Sequence, residues 1–162
     1  MKRVMNYSVL AILMAVLFYS CSNDDNDSSD SDAQQITEIE NNALNGLWEI
    51  TNYNDSGEDQ TSDYNGYTFN FDENGVLTAT NGANVLIGTW SVTSSSSDSS
   101  DDDGANSDDG IDFNIFFNVS ESSIFDDLVD DWEVSATSNS QINLFDISGG
   151  DGSTDVLVFS AI

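Results

Sequence analysis

Thirty carboxylates and almost nothing to pair them with set the chemistry open to this chain. Its 162 residues hold 30 Asp and Glu, two Lys and Arg, no His and one cysteine, Cys21. Without His a serine nucleophile lacks its usual base, and beyond Arg3 no cationic side chain exists to stabilise an oxyanion. Paired carboxylates can cleave glycosides, but among 30 acids some pair always falls at a suitable separation, so the pattern singles none out. The chain is therefore not expected to be an enzyme. Carboxylates do suit calcium, which prefers oxygen ligands. The densest run, Asp98, Asp101, Asp102, Asp103, Asp108 and Asp109, lies in SSSSDSSDDDGANSDDG. With Gly104 at the sixth position of an EF-hand loop, Ser99, Asp101 and Asp103 fall first, third and fifth. The twelfth position is then Gly110, where a bidentate Glu is required. Gly149-Gly150-Asp151-Gly152-Ser153-Thr154 is one residue short of a calcium β-roll nonapeptide and does not repeat. No cofactor is expected, and loose calcium association in the acidic loop is the most the pattern offers.

The distribution of charge is as informative as its amount. Lys2 and Arg3 are the only cations, and no acid precedes Asp24. Past Arg3 no side-chain salt bridge can form, and the surface repels nucleic acid and anionic head groups. One cysteine excludes an internal disulfide, and the absence of proline leaves turns to Gly, Asn and Asp. Lys2 and Arg3 followed by apolar Val9 to Phe18 make residues 1–20 a targeting segment, too short in its apolar part to span a bilayer. Phe18-Tyr19-Ser20-Cys21 resembles a bacterial lipobox. That resemblance implies a lipidated Cys21 as the mature N-terminus and a membrane partner reached through the lipid. Ser22 to Asp32, SNDDNDSSDSD, has no apolar residue and is expected to be a solvated tether. An acidic run directly after such a cysteine resembles the export signal of Bacteroidetes surface lipoproteins, which implies an outer-membrane, cell-surface location; a plain spacer on the periplasmic face is the alternative.

The elements that would position any site are legible from Tyr67 to Val92. Tyr67, Phe69 and Phe71 alternate with polar residues, the period of a half-buried strand. Glu73-Asn74-Gly75 suits a three-residue hairpin loop, pairing Phe71 with Leu77 and Phe69 with Ala79. Asn81-Gly82 suits a type I′ turn and would pair Leu77 with Leu86, leaving Gly88, Trp90 and Val92 on the same inner face. Around this meander the pattern predicts a short helix over Ala33 to Asn45, a first strand from Gly46 to Ile50 and a polar loop from Asn52 to Tyr64. Ser94 to Gly110 reads as a disordered acidic insertion. Ile111 to Phe117 is a strand, Ser123 to Asp131 a short helix, and strands follow around Trp132 to Ala136, Gln141 to Ser148 and Val156 to Ala161. The domains are then residues 1–20, residues 21–44 with lipidated Cys21, tether and helix, and a β-domain over 45–162 with its loop at 94–110. Eight antiparallel strands predict an all-β fold, a small up-and-down barrel with one N-terminal and one inserted helix. A two-sheet sandwich is the alternative.

Gly46-x-Trp48, Thr68-Phe69-Asn70-Phe71 leading into Asn74-Gly75, and Gly88-Thr89-Trp90-Ser91-Val92 together resemble the lipocalin-like domains of bacterial lipoproteins. The likeness spans residues 46–92 and extends further only as strand count. It implies that Gly46 and Trp48 sit on the first strand at a closed barrel end. The arginine that lipocalins pack over this tryptophan has no counterpart after Arg3. Two functions are compatible with such a barrel. One is a binding module for a neutral or apolar small molecule. The other is a structural or interaction protein of the cell envelope with a packed interior and a loosely cation-binding surface. Trp48, Tyr67, Phe69, Phe71, Trp90, Phe113, Phe117, Trp132 and Phe159 are bulky enough to fill an eight-stranded barrel. A monomer is expected.

Overall fold

Alternating inward apolar and outward polar residues, cut by short Gly and Asn turns, build nine strands in the computed structural model. It describes residues 27–95, 110–147 and 152–162. One helix, α1 (Asp27–Ala43), precedes β1 (Trp48–Asp55), β2 (Glu58–Asp59), β3 (Thr68–Phe71), β4 (Val76–Asn81), β5 (Asn84–Ser94), β6 (Ile111–Phe117), β7 (Asp130–Ser138), β8 (Gln141–Ile147) and β9 (Thr154–Ala161). Each strand from β3 to β9 pairs antiparallel with the next, and β9 returns to β1 along most of its length. The sheet thus closes into an eight-stranded antiparallel barrel, with β2 a two-residue arm folded back on β1. Closure leaves no long strand edge open, except that β1 meets β3 at the single pair Trp48 and Phe69.

The register of the first hairpin is the expected one: Phe71 faces Leu77 and Phe69 faces Ala79. Gly75 takes a φ of 75°, and Asp72 Oδ1 accepts the Asn74 backbone N–H at 2.8 Å to hold the loop. The second hairpin differs by one step of the turn. Asn81 pairs with Asn84, so the turn residues are Gly82 and Ala83, and Leu77 faces Gly88 rather than Leu86. Gly82 alone has positive φ, 60°, the sign pattern of a type II′ turn rather than I′. Moving the turn by one residue shifts the pairing by two, which preserves the side-chain period. Trp90 and Val92 therefore still point inward and are buried. Gly88 is required where it stands: a Cβ there would lie 2.3 Å from the Phe116 carbonyl oxygen.

Three expectations of local structure are corrected. The helix begins at Asp27, inside the stretch read as tether, and ends at Ala43. Acidic residues near a helix start match the positive end of the helix dipole, a preference that polar composition alone conceals. The polar loop of residues 52–64 is ordered instead. β1 continues to Asp55, turns at Ser56-Gly57 and returns through β2 to a 3-10 turn over Thr61–Tyr64. Tyr53 and Tyr64 are buried there, against a background of polar neighbours that hid them. The helix expected over residues 123–131 is a single 3-10 turn, Asp126–Leu128, and Asp130 already opens β7.

Candidate functional site

A barrel can work through its interior, its ends or its outer wall. The interior is filled. Phe71 meets Trp90, Phe113 and Phe159 with ring centroids 5.3, 5.3 and 5.5 Å apart, edge to face. Trp90 stacks on Phe113 at 5.5 Å. From Phe159 the contacts pass through Phe69 to Phe125, then Tyr64, Tyr53 and Trp132. Rings arranged this way gain electrostatically beyond the area they bury. Every tryptophan donates its indole N–H to a backbone carbonyl: Trp48 to Ala43 at 2.9 Å, Trp90 to Asp72 at 3.0 Å and Trp132 to Leu128 at 3.1 Å. Among the described residues no buried side-chain nitrogen or oxygen lacks a partner.

Both ends are closed by chain. At one end α1 lays Ile39 and Ala43 on the core. Its last turn has no basic residue, and the Trp48 indole satisfies the Ala43 carbonyl in that place. The Gly46-x-Trp48 tryptophan thus ties the helix to the barrel without an arginine. At the other end the β6–β7 connection brings Phe125 and Leu128 inward. The Tyr53 and Tyr64 hydroxyls donate to the carbonyls of Asp127 and Ile124, pinning that connection to β1 and to the 3-10 turn that follows β2. Burial, then nearby carboxylates led by Asp55, pushes the Tyr53 phenol far above its ordinary range, and burial, then Tyr53 and nearby carboxylates, does the same to Tyr64.

The outer wall holds the remaining candidates. Between α1 and the bulge of β7 runs an open groove of about 440 Å³, lined by Ser31, Gln34, Gln35, Glu38, Ile39 and residues 134–137. A second open groove, about 550 Å³, carries Asp112, Asp131, Glu133 and Asp146 with Thr93, Ser94, Ser95 and Ile147. The register places Asp112 directly opposite Glu133, and Ser95 Oγ donates to Asp112 Oδ1 at 2.9 Å. Near the β6–β7 connection burial, then the neighbouring Asp131 carboxyl, pushes Asp130 up to about 6. Burial, then Asp55, raises Asp127, and burial also raises Asp146. Among the described residues no three carboxylates gather in a geometry that could hold a metal ion.

The residues singled out from sequence fall elsewhere. Cys21 and the calcium candidates Asp98, Asp101, Asp102, Asp103, Asp108 and Asp109 lie outside the described residues, as do residues 1–20 and 149–151. The stems of the acidic insertion are described: Ser94 pairs with Ile111, and the Ser95 N–H reaches the Gly110 carbonyl at 3.0 Å. The insertion therefore leaves and re-enters the barrel between paired neighbours. A feature not anticipated is the wall of β3, β4 and β5, whose outward positions carry no charge, with Val85, Ile87 and nearby Phe116 exposed. Its signal was present as an absence: no acid occurs from Asn74 to Ser97.

No family model matches the chain, and no curated protein matches it. Among solved structures it is similar to the crystal structure of a DUF4847 family protein from Bacteroides vulgatus ATCC 8482. The match has 14% identity and a TM-score of 0.47, over 76% of this chain and 97% of that one.

Proposed function

We propose that this chain is a lipid-anchored protein of the bacterial outer membrane, exposed at the cell surface, that acts as a structural or interaction module through the outside of a solid, lipocalin-like barrel. The filled interior supports this most. A ligand cup needs several hundred Å³ of accessible space. Here rings from Trp90 to Trp132 occupy the axis in one connected series. Catalysis has no obvious machinery among the described side chains, and non-enzymatic action is part of the proposal. The anchor reading rests on residues 1–21 as a signal followed by a lipobox-like cysteine.

A second reading, a module for a neutral small molecule, is favoured by the α1–β7 groove. Its polar lining is mostly uncharged, Ser31, Gln34, Gln35, Ser135 and Thr137, with Glu38 as the exception. The two readings separate in one titration. The purified chain is mixed with apolar fluorescent probes and, separately, with neutral sugars, and tryptophan emission and thermal midpoint are followed. The interaction reading expects neither signal to change. Saturable one-to-one binding of an apolar probe that quenches the buried indoles would overturn it. A midpoint raised by a neutral sugar, and lost on Gln35→Ala, would move the function to the groove. Anchoring is checked by detergent partitioning of wild type against Cys21→Ser, with equal release of both into the aqueous phase as the contrary result.

A further inference from the structure

Beside α1 the barrel leaves a short strand edge unpaired. β7 pairs with β6 only as far as Glu133 opposite Asp112, because β6 starts at Ile111. β7 itself runs on to Ser138 with β8 along one side, and a bulge between Val134 and Ala136 bends it where β6 ends. The two-residue turn at Asn139-Ser140 makes Ser138 and Gln141 a hydrogen-bonded pair, and such pairs alternate along an antiparallel ladder. Thr137, paired with Ile142, therefore turns its backbone N–H and C=O away from β8. Among the described residues no strand runs along that side, and no turn or loop bond reaches the Thr137 backbone. The helix stands across from this edge. Asn42 donates to Thr137 Oγ1 at 3.1 Å, and Gln34, Gln35, Glu38 and Ile39 form the far wall of the groove of about 440 Å³. The Gln34 and Gln35 amides have no hydrogen-bond partner among the described residues. A strand edge bounded by a helix is a geometry into which an extended peptide adds as one more strand. β5 also overhangs β6, from Asn84 to Ile87, but at the β4–β5 turn, whereas α1 packs beside Gly75 at the other end of β4.

We propose that the groove between α1 and β7 takes an extended, cationic peptide segment of a partner protein, added to the free edge of β7; this rests on the reading of the protein as an interaction module and names its surface. Residues 134–137 of β7 span ~13 Å, room for about four peptide residues. A second main chain repeats donor and acceptor at the spacing that the Thr137 N–H and C=O require. The Gln34 and Gln35 amides each both donate and accept, which suits peptide groups on the helix side. Ile39, Val134 and Ala136 offer apolar contact to the peptide's side chains. Charge selects the occupant. Glu38 lines the groove, Asp32 lies on the same helix, and Glu133 stands where β6 ends. The chain has no base past Arg3 to neutralise them, so Lys or Arg flanking the peptide would be drawn in. The same charges disfavour the occupants nearest to hand: residues 96–109 are rich in aspartate without a base, and a second copy is as acidic as the first.

The test is fluorescence polarisation of the purified full chain with three pools of labelled peptides. The first pool carries Lys at both ends and about five varied Thr and Val positions between them, the composition of an extended strand. The second is the same pool methylated at every backbone nitrogen between the lysines. The third has Glu in place of the terminal Lys. The first pool is expected to bind saturably and to weaken at ~0.5 M sodium chloride. Both other pools should bind about tenfold more weakly or worse, one for want of main-chain donors and the other by repulsion. Ala136→Phe fills the groove from an exposed position and should give a similar loss with the thermal midpoint unchanged. Should that variant melt early, Gln35→Ala reads the loss from the helix side. No saturable binding, equal binding of the methylated or Glu-ended pool, or binding undiminished in both variants would overturn the proposal. Binding that appears only after deletion of residues 96–109 would assign the edge to the chain's own insertion and overturn the partner. In each of these cases the interaction reading stands; entry of an apolar probe into the core would instead overturn that reading.

Discussion

The β3–β4–β5 wall and the β6–β7 connection place carboxylates by opposite rules. On the wall side the acids are confined to turns and given donors. Asp72 Oδ1 accepts from the Asn74 backbone at 2.8 Å and its side-chain amide at 2.6 Å, and those bonds hold its pKa below the ordinary value. Away from the wall, Asp59 on β2 is lowered in the same way by the Thr61 hydroxyl and backbone. At the β6–β7 connection Asp126, Asp127, Asp130 and Asp131 fall within six residues with no base anywhere near. There burial raises Asp127 and Asp130 instead. A chain without cations past Arg3 has few other solutions: supply amides, tolerate protonation, or leave the acid out.

The largest effects should come from breaking the two regions' interior contacts. Phe71→Ala removes the ring that joins Trp90, Phe113 and Phe159 and is expected to cost about 3–5 kcal/mol. Phe125→Ala removes the plug under the β6–β7 connection, where four aromatic neighbours surround it, with a similar loss. Urea midpoints of both variants check this. A near-neutral Phe125→Ala would mean that the connection is a cover rather than part of the core, and that the barrel is sealed at one end only.

Gly88→Ala should be smaller, about 1–3 kcal/mol, the range for overpacking. The added methyl meets the Phe116 carbonyl oxygen at 2.3 Å and the Phe117 ring at 2.6 Å, so β5 and β6 must part locally. Gly66→Ala is the comparison outside the wall. Its Cβ meets only the Asn81 side chain at 3.6 Å, and its loss would come from a φ of 83° alone. If Gly88→Ala is the milder of the two by thermal melt, the β5–β6 pairing is looser than its register implies.

These two regions were not equally legible in the sequence. The wall was read nearly to its register because Tyr67 to Val92 combines strict alternation with two glycine turns, and those signals are local. Its one misplacement, Leu77 against Leu86, arose because Asn81-Gly82 and Gly82-Ala83 are both acceptable two-residue turns. Only cross-strand packing, including Gly88 beneath Phe116, chooses between them. The β6–β7 end was read poorly. Ile124, Phe125, Leu128 and Val129 have helical spacing, yet they pack inward from turns because the opposite partners, Tyr53 and Tyr64, come from a distant polar segment. The uncharged wall was missed because alternation reports which residues face inward, and attention to the acids present passed over the stretch without them.

The smallest effect follows from the same contrast in charge and has a defined sign. Asp130, pushed up to about 6, binds its proton more tightly folded than unfolded, where a value near ~3.9 applies. Asp127 and Asp146 are raised as well. Between those limits the folded state holds more protons, so stability should rise as pH falls from 7 toward 5. Asp59 and Asp72 act the other way: the stability they contribute is present above their unfolded value and is lost as pH falls below about 4. The thermal midpoint should therefore pass through a maximum between roughly pH 4 and 6. Asp130→Asn separates the two regions. The amide keeps an acceptor for the Asp131 N–H, now 2.9 Å from Asp130 Oδ1, and removes the charge. Because Asp130 is only partly buried, solvent screening cuts the effect to about 1 kcal/mol of added stability at pH 7, a shift of a few degrees. At pH 4 the variant and wild type should melt together. Equal midpoints at both pH values would mean that water reaches the connection well enough to keep Asp130 ionised at no cost. A midpoint that climbed steadily to pH 3 would mean that the turn donors at Asp59 and Asp72 do not stabilise their carboxylates, and the two regions would then differ in crowding alone.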